Sequence, residues 1–376
     1  MILVYITTLL ICLVGALLKL KNKALQYIVL GLITHLMGRG ALTLDTANYY
    51  NRYQRASGSS FEDKYEPGYF LLEKIGLFLG ADYIQFRIVT VFISLLLINK
   101  LVNKVTEKKV FLFYFVYCLF FIFIDTVQLR SFISLSIVIY ALNYLIYSTR
   151  FKKVIVYSFL VFLASTIHIS SLAYLVFALI GLKNRKRLAK AVAFVSLISV
   201  VFIFIGGNNL GVVKVVINII SGDSSRLSAY GETSVKFGFL YPFTLQLISV
   251  FVVFVMSEFI NKEYKSCLNS NSLTMKVINR KNVINVFLLI NVISIVYFPL
   301  YMFHLQFIRL ARGVLMINIM VLVLMFVKYE RVKNEKIIVA VVVASLVLYW
   351  FFYTYVLSDH VDDIIIPFFQ DATILN

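Results

Sequence analysis

Apolar runs of about 15–22 residues recur along this chain, many of them closed by lysine or arginine, a length that suits helices crossing a hydrocarbon layer about 30 Å thick. In such a layer every backbone N–H and C=O must be satisfied within the protein, so spans without a soluble core imply helices. With 61% hydrophobic and 14% charged residues, the expected class is an all-α polytopic membrane protein. A formal charge of +18 would suggest nucleic acid in a soluble protein. Here loops facing anionic headgroups account for it, and no nucleic-acid partner is expected. Cys12 and Cys118 fall inside spans and Cys267 in a loop, so no disulfide framework is implied. The first 20 residues lack a basic leader and a small-residue cleavage site, and read as the first span.

Placing the runs gives twelve crossings with both termini outside, in one integral membrane domain over residues 1–376. Two polar loops lie on the outer side, at about 44–82 and 206–238. Within the first, Gly68 to Gly80 is apolar but carries Glu73 and Lys74, and is too short to span. It reads as interfacial or re-entrant. The segment 154–182 is almost uninterruptedly apolar, yet basic residues flank it on both sides (Lys152 and Lys153; Lys183, Arg185, Lys186 and Arg187). If both flanks are cytoplasmic it must go out and return, as a short broken hairpin with His168 at its apex. Irregular backbone at that depth has to line a protein cavity.

Lysine and arginine divide between the two faces. The richer face holds 24 of the 36 cations, including 19 of the 23 lysines, and is the cytoplasm by the positive-inside rule. Of the 13 arginines, 8 fall on the other face: Arg39, Arg52, Arg55, Arg87, Arg130, Arg226, Arg309 and Arg312. Topology needs only positive charge, whereas a planar guanidinium fork grips phosphate or carboxylate bidentately. This points to an outer site for an anionic, lipid-linked substrate. Arg130, opening a span near Asp125 and Gln128, is a first candidate. Arg309 and Arg312, three apart and so on one helical face, can converge on one diphosphate. Arg226 is a further candidate and Arg52 is undecided. Arg39, Arg55 and Arg87 read as border charges.

The first outer loop carries the densest chemistry. DTANYYNRY puts Asp45, Tyr49, Arg52 and Tyr53 at helical spacing. YEPGY then sets Glu66 beside Pro67 and Gly68, a turn signal at the membrane border. Tyrosines there can simply anchor the interface. An acid beside an apolar boundary tends toward a raised pKa, which suits a general base, so Asp45 and Glu66 are candidates. His168, among hydroxyls in STIHISS, is another: ionisable groups at membrane depth are costly and point to function. Imidazole titrates near neutrality, which suits proton transfer from a hydroxyl. No histidine pair has metal-ligand spacing, and no Walker, GxGxxG, HExxH or GxSxG motif occurs.

An outer Asp followed by paired tyrosines (Asp45, Tyr49, Tyr50), then YEPGY, then an Arg opening a span (Arg130), then His-x-Ser (His168, Ser170) resembles the EpsG family of bacterial polysaccharide polymerases. These are Wzy-type proteins of capsule, exopolysaccharide and O-antigen assembly. The resemblance covers about residues 1–330. It departs at Ser131, where the family commonly has Gln, so only the Arg role carries over. It implies about 11–12 transmembrane helices, including the short hairpin, in a GT-C-like glycosyltransferase architecture of the bacterial plasma membrane. The implied activity is metal-independent, inverting polymerisation of undecaprenyl-diphosphate-linked oligosaccharide repeats on the outer face, with no cofactor. Membrane lipids, a chain-length regulator and a flippase are the implied partners. His168 is then first choice for base, with Asp45 second and Glu66 beside them. Arg130, Arg226, Arg309, Arg312 and Arg52 would meet the diphosphate, and Tyr49, Tyr53, Gln128 and Ser170 the sugars or acceptor. The alternatives are a flippase or exporter of lipid-linked oligosaccharide, disfavoured by the missing inner site and repeat symmetry, and a non-catalytic scaffold that tolerates Arg130→Ala and His168→Ala.

Overall fold

The computed structural model describes residues 1–40, 44–58, 66–107, 109–147, 150–206, 238–270, 272, 274–303, 307–328 and 361–370. These are helical throughout, and five of their helices are long and apolar enough to cross a membrane. The chain divides into two compact units, Met1–Leu175 with Ile319–Asn376, and Val176–Asn318. No linker marks either boundary, since both cut through helices. The expected last span (about 337–357) and most of the second outer loop, with Arg226, lie outside the described residues.

The first unit contains α1 (Ile2–Leu17), α2 (Lys23–Arg39), α3 (Leu44–Ala56), α4 (Pro67–Phe78), α5 (Tyr83–Val105), α6 (Val110–Phe120), α7 (Ile122–Val127), α8 (Leu129–Tyr147) and α9 (Arg150–Ile167). The apolar stretch from Val110 is divided into α6 and α7 by a break at Phe121. Within the first outer loop, α3 carries the DTANYYNRY stretch at the helical spacing read from it, and α4 takes up most of the short apolar segment that follows. α5 packs between α2 and α8, and α9 lies along α8 and against α4. Small residues permit the closest approaches, as helix association in lipid requires. A Cβ on Gly38 would collide with the Ile88 side chain, so α2 and α5 meet there. A Cβ on Gly68 would come 2.9 Å from the backbone carbon of Thr166, which seats the start of α4 on the end of α9.

Arg87 is no border charge. It is 1% exposed and donates from Nη1 to the Gly40 carbonyl (2.9 Å) and from Nη2 to that of Thr126 (3.3 Å). Helix ends leave carbonyls unsatisfied, and this guanidinium ties the end of α2 to α7. Asp125, expected at an exit loop, is fully buried on α7 and accepts from the Tyr117 hydroxyl (3.0 Å).

α9 ends at Ile167 and a 3₁₀ helix, Ile169–Gly181, follows. The Tyr157 hydroxyl donates to the carbonyl of Tyr174 at 2.8 Å. Were the helix to continue straight, those residues would lie about 25 Å apart at 1.5 Å rise per residue. The chain therefore reverses near His168.

The second unit holds α10 (Arg185–Ile205), α11 (Leu240–Asn269), α12 (Met275–Ile293), α13 (Phe298–Phe303) and the start of α14 (Ile308–Lys328). α11 runs for 30 residues, and Arg309 and Arg312 sit on the first turns of α14. α12 packs against α10 and α11. Its buried polar groups satisfy one another, as membrane-embedded amides must. Asn291 and Asn318 exchange amide hydrogen bonds of 2.8 Å, Asn318 also reaches Ser249, and Gln246 joins Ser294 (2.6 Å) to Tyr301 (2.8 Å). A π-helical turn at Val361–Ile365 and α15 (Ile366–Phe369) return to the first unit, where Phe368 packs on Phe123 and Tyr5.

Candidate functional site

Three local devices bring distant residues together in the first unit. Pro67 at the first position of α4 fixes the helix start and disfavours the right-handed α conformation for the residue before it. Glu66 takes φ +69° instead, a backbone state costing on the order of 1–3 kcal/mol and commonest where function needs it. At the end of α9, Ser165 and Thr166 turn their hydroxyls back onto the carbonyls of Phe162 and Leu163 (2.7 Å each), which competes with helix continuation. The 3₁₀ winding that follows gives Ile169 N–H no helical acceptor, and it donates to Glu66 Oε1 at 3.3 Å. The third device is Arg130, on the first turn of α8. There the positive end of the helix dipole opposes a cation, so the arginine needs an anion nearby.

Glu66 is that anion. One carboxylate oxygen is bonded by Arg130 Nη1 and the other by His168 Nδ1 at 2.6 Å. The carboxylate is nearly sealed, 3% exposed at its side chain, while Arg130 and His168 keep 22% and 18%. Burial pushes the Glu66 carboxyl up, but the hydrogen bond from His168, the charge of Arg130 and the Ile169 amide together hold it below the usual carboxylate range. The expectation of a raised, base-like Glu66 is thereby overturned, because burial here comes with two partners. An ionised carboxylate only accepts hydrogen bonds, so Nδ1 carries a proton and donates it to Glu66, which leaves Nε2 as the ring nitrogen turned away from the carboxylate. Glu66 thereby fixes the orientation of the His168 ring. Glu66 is the carboxylate that orders Arg130.

Aromatic rings line the arginine. Arg130 stands 4.8 Å from the ring centroid of Tyr49 and 5.9 Å from that of Tyr69, contacts of cation–π type. Arg52 stands 5.1 Å from the same Tyr69 ring and pairs with Glu73 at 3.1 Å. Tyr53, expected to meet a sugar, is buried. Its hydroxyl donates to the Ala81 carbonyl (2.7 Å) and its ring lies 5.0 Å from Phe86, so it holds α3 against the loop before α5. Ser170 is half-buried on the 3₁₀ helix, and Gln128 is half-buried between α7 and α8. Asp45 lies on α3, with its side chain outside the described residues. Arg309 is half-buried and Arg312 buried in the second unit. Sequence reasoning missed Glu73, whose only signal was an acid in an apolar stretch. Among the described residues no group of three or more His, Cys, Asp or Glu could hold a metal ion.

The depressed Glu66 value carries a pH consequence. The unfolded chain binds that proton more readily than the folded one, so stability falls as pH falls. Thermal unfolding in detergent should show a loss beginning near the ordinary carboxylate value and deepening as pH drops through the lower folded value. Glu66→Gln should lack this component. An identical acid limb in both proteins would refute it.

Neither the curated proteins nor the solved structures include a match to the chain. A family model does match, over residues 22–368, a range that takes in Glu66, Arg130 and His168 together with both units. Nearly the whole chain is covered, and the protein belongs to the EpsG family.

Proposed function

We propose that this chain is a glycosyltransferase that polymerises undecaprenyl-diphosphate-linked oligosaccharide repeats at the outer face of the bacterial plasma membrane. Membership of the EpsG family supports a polymerase of polysaccharide biosynthesis. The observation that carries the reading is the Arg130–Glu66–His168 chain, which sets a base and a cation on the two oxygens of one carboxylate.

The reaction is one displacement. A sugar hydroxyl of the acceptor gives its proton to His168 Nε2 and its oxygen attacks the anomeric carbon of the donor. The bond from that carbon to the lipid diphosphate breaks, and the leaving group takes the electron pair. The imidazolium that forms is stabilised by Glu66, and charge on the departing diphosphate by Arg130, which is already in place. No metal is needed for this step. A single displacement inverts the anomeric configuration, and retention in the product linkage would count against it.

The purified protein, given an authentic lipid-diphosphate repeat unit in liposomes without ATP, should produce a ladder of polymer. Failure to do so, with substrate that the native pathway accepts, would overturn the reading in favour of transport or scaffolding.

A further inference from the structure

The Arg130–Glu66 arrangement has a close parallel beside it. In each, a sealed carboxylate backs a part-open arginine: Glu73 is 0% exposed behind Arg52 at 20%, and Glu66 is 3% exposed behind Arg130 at 22%. Both guanidinium carbons lie within 6 Å of one ring, that of Tyr69. The two arginines are therefore no further apart than those two distances laid end to end. Within that limit a diphosphate can reach both, with one charge-assisted hydrogen bond of ~2.8 Å at each end.

Three donors in this cluster have no acceptor among the described residues: Arg52 Nη2, Arg130 Nε and the Tyr69 hydroxyl, each on a buried atom. Buried donors left unpaired are costly, and three of them around one ring mark a place shaped for an acceptor-rich group. Each ion pair is also a dipole with its positive end on the open side. The carboxylates fix the forks in advance, so little rotamer freedom remains to be lost on binding. α3 and α4 hold the cluster by close packing, since a Cβ on Gly76 would come 2.8 Å from the Tyr53 hydroxyl and 2.9 Å from the Phe86 ring.

We infer that Arg52, positioned by Glu73, is a second arm of the same anion site, and that Arg52 and Arg130 together hold a diphosphate across Tyr69. The inference rests on the diphosphate reading above but concerns binding, and so is separable from polymerisation. Glu73 is here a positioning residue.

The test measures binding by the full chain in nanodiscs, with farnesyl diphosphate, farnesyl monophosphate and inorganic pyrophosphate as probes. The unaltered protein should prefer the diphosphate to the monophosphate. Arg52→Lys keeps the charge but loses the fork, and should weaken diphosphate binding at least about tenfold while moving monophosphate binding little. Glu73→Gln should follow it, and Arg55→Lys should behave as the unaltered protein. Tighter binding of the prenyl form than of pyrophosphate supports a lipid-linked ligand; the reverse supports a free one. Arg52→Lys binding like the unaltered protein while Arg130→Lys fails would overturn the second arm alone. No preference for diphosphate in the unaltered protein would overturn both arms. Diphosphate binding without polymer formation would leave the site standing and remove the polymerase reading.

Discussion

Replacement of His168 by alanine should lower polymer formation by roughly 10²–10⁴-fold, the range that a positioned general base contributes, with donor binding nearly unchanged. The ring is held at Nδ1 by Glu66 at 2.6 Å, and its remaining nitrogen has no structural duty among the described residues. Loss of the imidazole therefore removes proton transfer and little else. His168 is half-buried at the reversal between α9 and the 3₁₀ helix, where the backbone is already set by the Ser165 and Thr166 hydroxyls. The alanine chain should accordingly fold and insert. Rate of ladder growth against substrate concentration separates the outcomes: a fall in kcat at constant KM is expected. Activity within about tenfold of the unaltered protein would exclude His168 as the base.

His168 stood out in the sequence because basic residues on both flanks of one apolar segment implied a reversal with His168 at its middle. The helices were legible for the same kind of reason, since hydrocarbon leaves the backbone few options. The site's wiring was not. Glu66 meets Arg130 across 64 positions and His168 across 102, and no local pattern encodes such a pairing. YEPGY announced a turn, but only the assembled unit shows that the turn aims a carboxylate at two partners. The direction of the Glu66 pKa followed from the same gap: proximity to an apolar border was visible and the two partners were not. Arg87 failed differently. A cation at a span border ordinarily snorkels outward, and nothing local distinguishes one turned inward onto the carbonyls of Gly40 and Thr126.

Glu66→Gln should have the largest combined effect on the protein. It keeps the shape of the side chain and removes its charge, which leaves Arg130 unpaired on the first turn of α8. Breaking a buried pair in this way costs about 3–5 kcal/mol, and since Arg130 is 22% exposed the lower end applies. The amide also offers His168 either an acceptor or a donor, so the tautomer with a free Nε2 is no longer enforced. In serine hydrolases the corresponding carboxylate-to-amide change lowers kcat about 10⁴-fold, and a fall of about 10³–10⁴ is expected here. Stability and catalysis then separate in the double variant Glu66→Gln with Arg130→Met. Removal of both charges relieves the unpaired arginine, so thermal stability should recover toward that of the unaltered protein. Polymerisation should not recover, since the base remains unoriented and the leaving group has lost its cation. A double variant that regains both would reduce the Arg130–Glu66–His168 chain to a structural tie. One that regains stability alone makes it the working centre of the molecule.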